Sequence, residues 1–453
     1  MIRALACTAL IALASCGDLP SRPVTALPDD LPRFASKIQP RGVARSNQTI
    51  AEDFLDLTFA LEGGDVLPRL LKFRGPVRVV LRSPGLSTYK PEIDTLMRRL
   101  RREAGIDIDL TSDAATAQIH IEAVSRATIS RAFPGAACFI VPGVRSWSEF
   151  RNPLGGADQI LWSRQSELTV VSIFIPADST PQDTRDCLHE ELGQALGPAN
   201  DLYRLPDTIF NDDNLHSILT PFDMLILRTL YDDRLQSGMS RADVAARLPA
   251  ILNSLNPKGR NIPARPRAPE TRQWKRAIET ALDRRNSRSQ RLAGAQQAVN
   301  LATIMQPTDH RLGLAMLTQG RIQARQSPGT AASAFNAAYA QFVNSAGTPD
   351  IRAAHVALHL GLFALRDGRL DEAIAISRQH IPIARNAENA VVLSGLLAIE
   401  AEAHLVAGDL TEAKKTRLES LAWARYAFGD EEGLIRKAQA QIAAFNPNAS
   451  ASQ

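Results

Sequence analysis

The stretch Cys187-Leu-His-Glu-Glu-Leu-Gly-Gln-Ala-Leu-Gly-Pro-Ala-Asn200 decides how the first half of this chain is read. Upstream, Thr180 is placed to cap a helix, Pro181 suits its first position and Asp183 meets the positive end of its dipole; Gly197-Pro198 stops it. At about 100° per residue, Leu188, Leu192, Ala195 and Leu196 form one apolar stripe, while Glu190 and Gln194 project almost opposite. The pattern therefore predicts an amphipathic helix carrying two oxygen-bearing side chains one turn apart. A surface helix with polar residues opposite its stripe satisfies the same pattern, so the meaning of Glu190 and Gln194 rests on what flanks them.

The flanks point one way. The stretch resembles the active-site helix of the metzincin zinc proteases, HExxHxxGxxH, with Glu190, Glu191, Gln194, Gly197 and Asn200 in the places of His, Glu, His, Gly and His. Downstream, Ser217-Ile-Leu-Thr-Pro221 and the helical pattern from Asp223 to Tyr231 resemble the matrixin Met-turn and the helix after it, with Leu219 in the methionine place. This resemblance spans about residues 50 to 255. It implies a zincin-like domain in which Glu191 holds the general-base position and Glu190, Gln194 and Asn200 hold degenerate metal-ligand positions. Gly197, Asp201 and His189 are its supporting residues, and the long interval from Asn200 to Leu219 is expected to line or cover the cleft. The His-Glu-Glu helix also resembles that of an uncharacterised family of bacterial lipoproteins.

An active zincin needs neutral imidazoles on zinc and a carboxylate to take a proton from the bound water. One carboxylate and two amide oxygens are poor zinc donors and suit a harder ion such as calcium, to which Glu191, Asp201, Asp212 or Asp213 could add oxygens. The expectation is no cofactor, with zinc or calcium as the alternatives. In the other register, His189-Glu190 is the His-Glu pair, but Gly193 then stands where a second ligand belongs and His216 lies far along the chain. His189 is accordingly read as a hydrogen-bonding brace, and His120 as a strand residue. No G-x-S-x-G elbow, phosphate-binding glycine loop or CxxC pair competes, and Cys187 and His189 are too differently directed on a helix to form a dyad.

The N-terminus bears on location. Arg3 precedes an apolar run from Ala4 to Ala14 ending Leu13-Ala-Ser-Cys16-Gly17, which has secretory-signal form. It resembles a bacterial lipobox, which implies lipidation at Cys16 and, with Gly17 next, the outer membrane over the inner, facing the periplasm; a cleaved signal with a chance cysteine is the alternative. The lipobox reading leaves Cys138 and Cys187 in the mature chain, read as one disulfide in an oxidising compartment or as two buried thiols. No further run is read as long enough to span a membrane. With 52 Lys and Arg against 48 Asp and Glu, dispersed along the chain, there is no footprint for nucleic acid.

Composition divides the rest. Residues 17–47 are proline-rich and read as an extended tether; residues 256–269, with prolines at 257, 263, 266 and 269, read as a linker. Between them, residues 48–255 alternate helical and strand patterns: a helix over Ile50–Leu61, strands at Val77–Arg82 and Ala117–Ala123 with a helix over Pro91–Ala104 between them, then strands at Cys138–Val141 and Leu168–Ile175. Residues 270–445 are alanine-rich and helical, ahead of a disordered tail at 446–453. Gly368-Arg-Leu-Asp-Glu-Ala373 recurs as Gly408-Asp-Leu-Thr-Glu-Ala413, and Gly329 falls one such interval before Gly368, which looks like tetratricopeptide-type repeats or else a non-repeating bundle.

The fold class expected is thus an α+β zincin-like domain followed by an all-α helical-repeat domain. The function expected is an envelope lipoprotein whose inactive protease-like domain binds a periplasmic peptide or protein while the repeats recruit a partner. A hydrolase with a non-standard metal site and a purely structural scaffold are the alternatives.

Overall fold

A computed structural model describes residues 31–37, 42–264, 266, 269, 271–429 and 442. The expected signal segment 1–16 with Cys16, residues 17–30 of the tether and the tail 446–453 lie outside the described residues.

The first half is a mixed α/β unit and the second is helical. After α1 (Asn47–Thr58) come β1 (Val77–Leu81), α2 (Lys90–Arg99), β2 (Ile108–Leu110), β3 (Ile119–Val124), α3 (Arg126–Ala132), β4 (Phe139–Pro142), α4 (Trp147–Arg151) and β5 (Val171–Pro176). The sheet order is β2-β1-β3-β5-β4; β4 is the antiparallel edge and the other pairs are parallel. Strand β2 was missed in the sequence because three residues are too few to display a period of two. On β5, Val171, Ile173 and Ile175 enter the main core with α5 (Pro181–Ala195) and α6 (Pro221–Leu230), while Phe174 turns to a smaller aromatic cluster with Phe139, Trp147 and Phe150. That is the alternation a sheet covered on both faces requires. A cavity of about 230 Å³ lined by Thr128, Arg131, Ala132, Trp147 and Arg151 opens beside this smaller cluster.

Helix α5 starts and stops where its sequence says. The Thr180 side chain accepts the Asp183 N–H, Pro181 is the first residue, and Gly197 leaves the helix with φ +138°. Its surroundings differ from the expectation of a polar face turned to a cleft. Besides the apolar stripe, Gln182, Thr184, Arg185, His189, Glu191 and Gln194 are buried: Gln182 and Arg185 meet Glu388 of the helical half, while His189 and Gln194 meet Leu219 and Asp201 of the first half's own later segment. The disulfide Cys138–Cys187 joins the edge strand β4 to this helix.

After α7 (Arg241–Leu255) the linker begins packed, not free. Gly259 lies so close to Arg45 and Asn47 that a Cβ would meet the Arg45 carbonyl at 2.4 Å, and Asn256 bonds both backbone groups of Val43. The helical region then runs α8 (Arg272–Leu282), α9 (Arg288–Thr303), α10 (His310–Gln323), α11 (Pro328–Ala346), α12 (Ile351–Arg366), α13 (Leu370–Asn386), α14 (Ala390–Ala407) and α15 (Leu410–Phe428). Gly368 (φ +73°) and Gly408 (φ +85°) make the same left-handed turn between α12 and α13 and between α14 and α15, which is why their sequences match. Gly329 does not: it sits in the first turn of α11. One sequence reading needs correcting. Helix α14 is long and apolar enough to cross a membrane, with mean hydropathy 1.7, and 72% of that stretch is buried within the protein.

The tether also departs from expectation where it is described. Leu31 is buried, Phe34 stacks on Trp423 at 4.4 Å and meets Tyr426 edge-on, and Ser36 Oγ donates to Glu388. Residues 31–37 are therefore a strap across the last helices, held by aromatic contacts that an extended spacer would not make.

Candidate functional site

Helix α5 and the segment from Asn200 to Leu219 form the candidate site. Gly193 is the point of contact between them: a Cβ there would lie 2.7 Å from Phe210 Cζ and 2.9 Å from Leu219 Cδ2, so only glycine lets the segment pass. Leu219 thus packs directly against the motif helix. Its backbone is held twice, its N–H donating to His189 Nδ1 at 3.3 Å and its carbonyl accepting from Arg99 Nη2 at 2.9 Å, with Arg99 paired to buried Glu103. Burial, aided by the positive charges of Arg185 and Arg99, pushes the His189 imidazole well below its usual range, so it is neutral and serves as an acceptor.

Two of the three positions aligned with zinc ligands spend their amide nitrogens on other partners. Gln194 Nε2 donates to Asp201 Oδ2 at 2.7 Å, and Asn200 Nδ2 donates to the Asp56 carbonyl at 2.8 Å, which turns Asn200 toward α1. Arg204 fastens the same segment to α1 through Asp53 and, at 2.7 Å, Asp56. Asp223 closes the segment's far end: it completes a capping box with Thr220 and also binds Thr208 and the Ile209 N–H. Tyr231 reaches back to the Leu196 carbonyl at 3.0 Å. His216 lies beside Asp213 at 4.0 Å, and His120 contacts the Ala117 carbonyl inside the sheet.

The site instead gathers carboxylates. Glu190 is raised well above its usual range by burial and then by Glu191; Glu191 by burial and then Asp201; Asp201 by burial and then Asp212. Burial, followed by Glu62, raises Asp212 to about 7. Among the described residues the ammonium that enters this group is Lys275 of α8, with Nζ 3.3 Å from Glu62, 3.6 Å from Asp212 and 3.7 Å from Glu279, and over the Tyr203 ring at 5.8 Å. Asp201 and Asp212 were visible in the sequence as possible oxygen donors. Glu62, Lys275 and Glu279 were not, because they come from distant segments with no local motif.

The helical region packs on the 200–219 segment. Tyr203 and Leu215 belong to the same apolar cluster as Trp274, Leu314 and Phe335; His310 contacts the Tyr203 carbonyl at 2.7 Å, and His355 the Leu215 carbonyl at 3.3 Å. Residues 47–250 match the family described as Protein of unknown function (DUF2927). No curated protein and no solved structure matches the chain.

Residues 47–250 should carry a measurable proton linkage at Asp212. Its folded pKa lies above the unfolded one, so the folded state keeps a proton that the unfolded state releases, and stability drains away as pH rises from about 4 through 7. Asp212→Asn removes that drain. Its stability relative to the parent, measured by urea unfolding in the presence of a chelator, is expected to rise by about 1–2 kcal/mol between pH 5 and pH 8, a value reduced for the partial exposure of the group. A pH-independent difference would contradict the linkage.

Proposed function

We propose that the protein is an envelope lipoprotein in which a zincin-like DUF2927 domain has become a binding module for an extended peptide or protein segment, clamped by tetratricopeptide-like repeats. The observation that carries this reading is the fate of the ligand positions: Gln194 is bonded to Asp201, Asn200 faces Asp56, and the imidazole of His189 is spent on the Leu219 backbone. Neutral imidazoles are the usual donors of a zinc that activates water, and these positions offer a carboxylate and two amides in their place. Support for the zincin-like assignment comes from the Gly193–Leu219 contact beneath the motif helix and the Gly197 turn after it. Support for peptide binding comes from the single antiparallel edge strand β4, tied to α5 by the disulfide, since a sheet edge offers main-chain hydrogen bonds to an added strand. The repeats engage the domain's own segment through Tyr203 and Leu215, so those contacts are not open to a second protein.

The test is an anisotropy titration of the signal-free protein with a pool of labelled extended peptides, run beside a cleavage assay with added zinc. Saturable binding without cleavage, unchanged by Glu191→Gln, is expected. Cleavage that disappears with Glu191→Gln would reassign the protein as a hydrolase, and neither binding nor cleavage would favour a structural scaffold.

A further inference from the structure

We infer that the cavity between α3 and α4 is a binding site for a small organic carboxylate carrying one aromatic ring, with Arg131 and Arg151 taking the carboxylate and Trp147 the ring. The cavity measures about 230 Å³ and is lined by Thr128, Arg131 and Ala132 of α3 and by Trp147 and Arg151 of α4. An apolar cavity of about 150 Å³ holds benzene, while sites for drug-sized ligands run from about 300 to 1,000 Å³. The volume therefore admits one ring with its acid group and little more. Trp147 is half-buried and fixed by edge-on packing against Phe174 at 5.2 Å and Phe150 at 5.3 Å; Phe133, next in sequence to Ala132, is 42% exposed. The indole is thus a wall held in place, against which a further ring packs offset or edge-on.

Charge sets the other end of the ligand. Arg131 Nη2 donates to the Thr128 hydroxyl at 3.1 Å and meets no carboxylate, and Arg151 makes no hydrogen bond or ion pair among the described residues. The nearby acids are committed elsewhere. Glu149 accepts from the Arg145 N–H at 2.8 Å and from Gln159 at 3.2 Å, and Glu122 accepts the Trp147 N–H at 2.9 Å. Two guanidinium forks lining one cavity with no acid between them suit a planar carboxylate. Phosphate is disfavoured, because its sites are built largely from backbone N–H groups at helix starts and in glycine-rich loops. At the start of α4 the Trp147 and Glu149 N–H groups are taken by Glu122 and Ser146, while Arg131, Ala132 and Arg151 sit at helix ends, where free carbonyls oppose a second negative charge. Occupancy of this cavity does not depend on a strand added at β4, and either can fail alone.

The experiment is a calorimetric titration of the signal-free protein with phenylacetate and with N-acetylphenylalanine, each beside its uncharged amide. Saturable binding of an acid and none of its amide is expected, weakened by about tenfold in Arg131→Gln and in Arg151→Gln and lost in the double variant. Both arginines are exposed, so neither substitution disturbs the core. During the titration the Trp147 indole N–H resonance, identified as the one missing from Trp147→Phe, is expected to shift. Binding of phenylacetate alone assigns the site to a free acid; tighter binding of N-acetylphenylalanine assigns it to the carboxyl-terminal residue of a peptide. No saturable binding of either acid, equal binding of acid and amide, or wild-type affinity in the double variant would overturn the assignment.

Discussion

Gly197→Ala is expected to be among the most damaging single substitutions in the protein, costing about 3–5 kcal/mol from backbone strain and overpacking together. Gly197 has φ +138°, which L-residues rarely adopt, and an added Cβ would lie 2.6 Å from the Leu71 carbonyl oxygen and 2.7 Å from Leu230 Cδ2. The leucine methyl can rotate aside; the carbonyl cannot move without disturbing the chain leading into the sheet. The turn made here also directs Asn200 to Asp56 and Asp201 to Gln194, so the substitution should loosen the acidic pocket as well as the core. Gly105→Ala is the control: its φ of +76° is also positive, but nothing lies within 4 Å of an added Cβ, and about 1–2 kcal/mol is expected from conformation alone. Urea unfolding of the two variants distinguishes strain with collision from strain alone, and equal losses would show that the Leu71 contact yields freely.

Arg185→Ala should cost about as much, about 3–5 kcal/mol, by a different mechanism. Arg185 is almost wholly buried between the two halves of the protein, paired with Glu388 from the turn between α13 and α14 and, at 3.2 Å, with Glu92. Its guanidinium also donates to Ser36 and lies over the Phe34 ring at 5.5 Å, so one side chain ties α5 to the helical region and to the N-terminal strap. Removing it leaves two carboxylates in a poorly solvated space, and the penalty of stranded charge exceeds the net worth of the pair itself. Glu388 is held there at φ +55°, a conformation unusual for its type, with its carbonyl accepting from Gln182 and the Ala390 N–H donating to Gln182. The expected signature is a lowered unfolding midpoint together with faster proteolysis within 256–269 as the halves separate. Glu388→Gln in the Arg185→Ala background should recover part of the loss, because it removes one stranded charge; simple additivity would mean that the two residues are not coupled.

Much of the fold was legible because it is governed locally. The cap at Thr180, the proline at 181 and the stop at Gly197 are decided by backbone groups within a turn of each other; the strand at Ile119 declares itself through alternation, and those at Val77 and Val171 as short β-branched apolar runs. The match between Gly368 and Gly408 was readable for the same reason, since each makes a left-handed turn that glycine adopts at least cost. The candidate site was legible only in its scaffold. That Glu190, Gln194 and Asn200 stand in ligand positions is a statement about spacing along one helix and one turn. What the amides of Gln194 and Asn200 bind, Asp201 and the Asp56 carbonyl, is connected to them by no spacing rule.

By itself, then, the sequence determined a capped helix bearing acids and amides where a zinc protease bears histidines, an α/β unit ahead of it and an alanine-rich helical region behind. Only the tertiary structure decided that the helix is enclosed on nearly every side, that Lys275 enters its acidic pocket, and that the strap at Phe34 lies across the far end of the chain. Periodicity and capping are short-range, set by neighbours within a few residues. Burial and charge environment are sums over whatever the rest of the chain brings close, and here that includes α8, more than 70 residues beyond the motif helix.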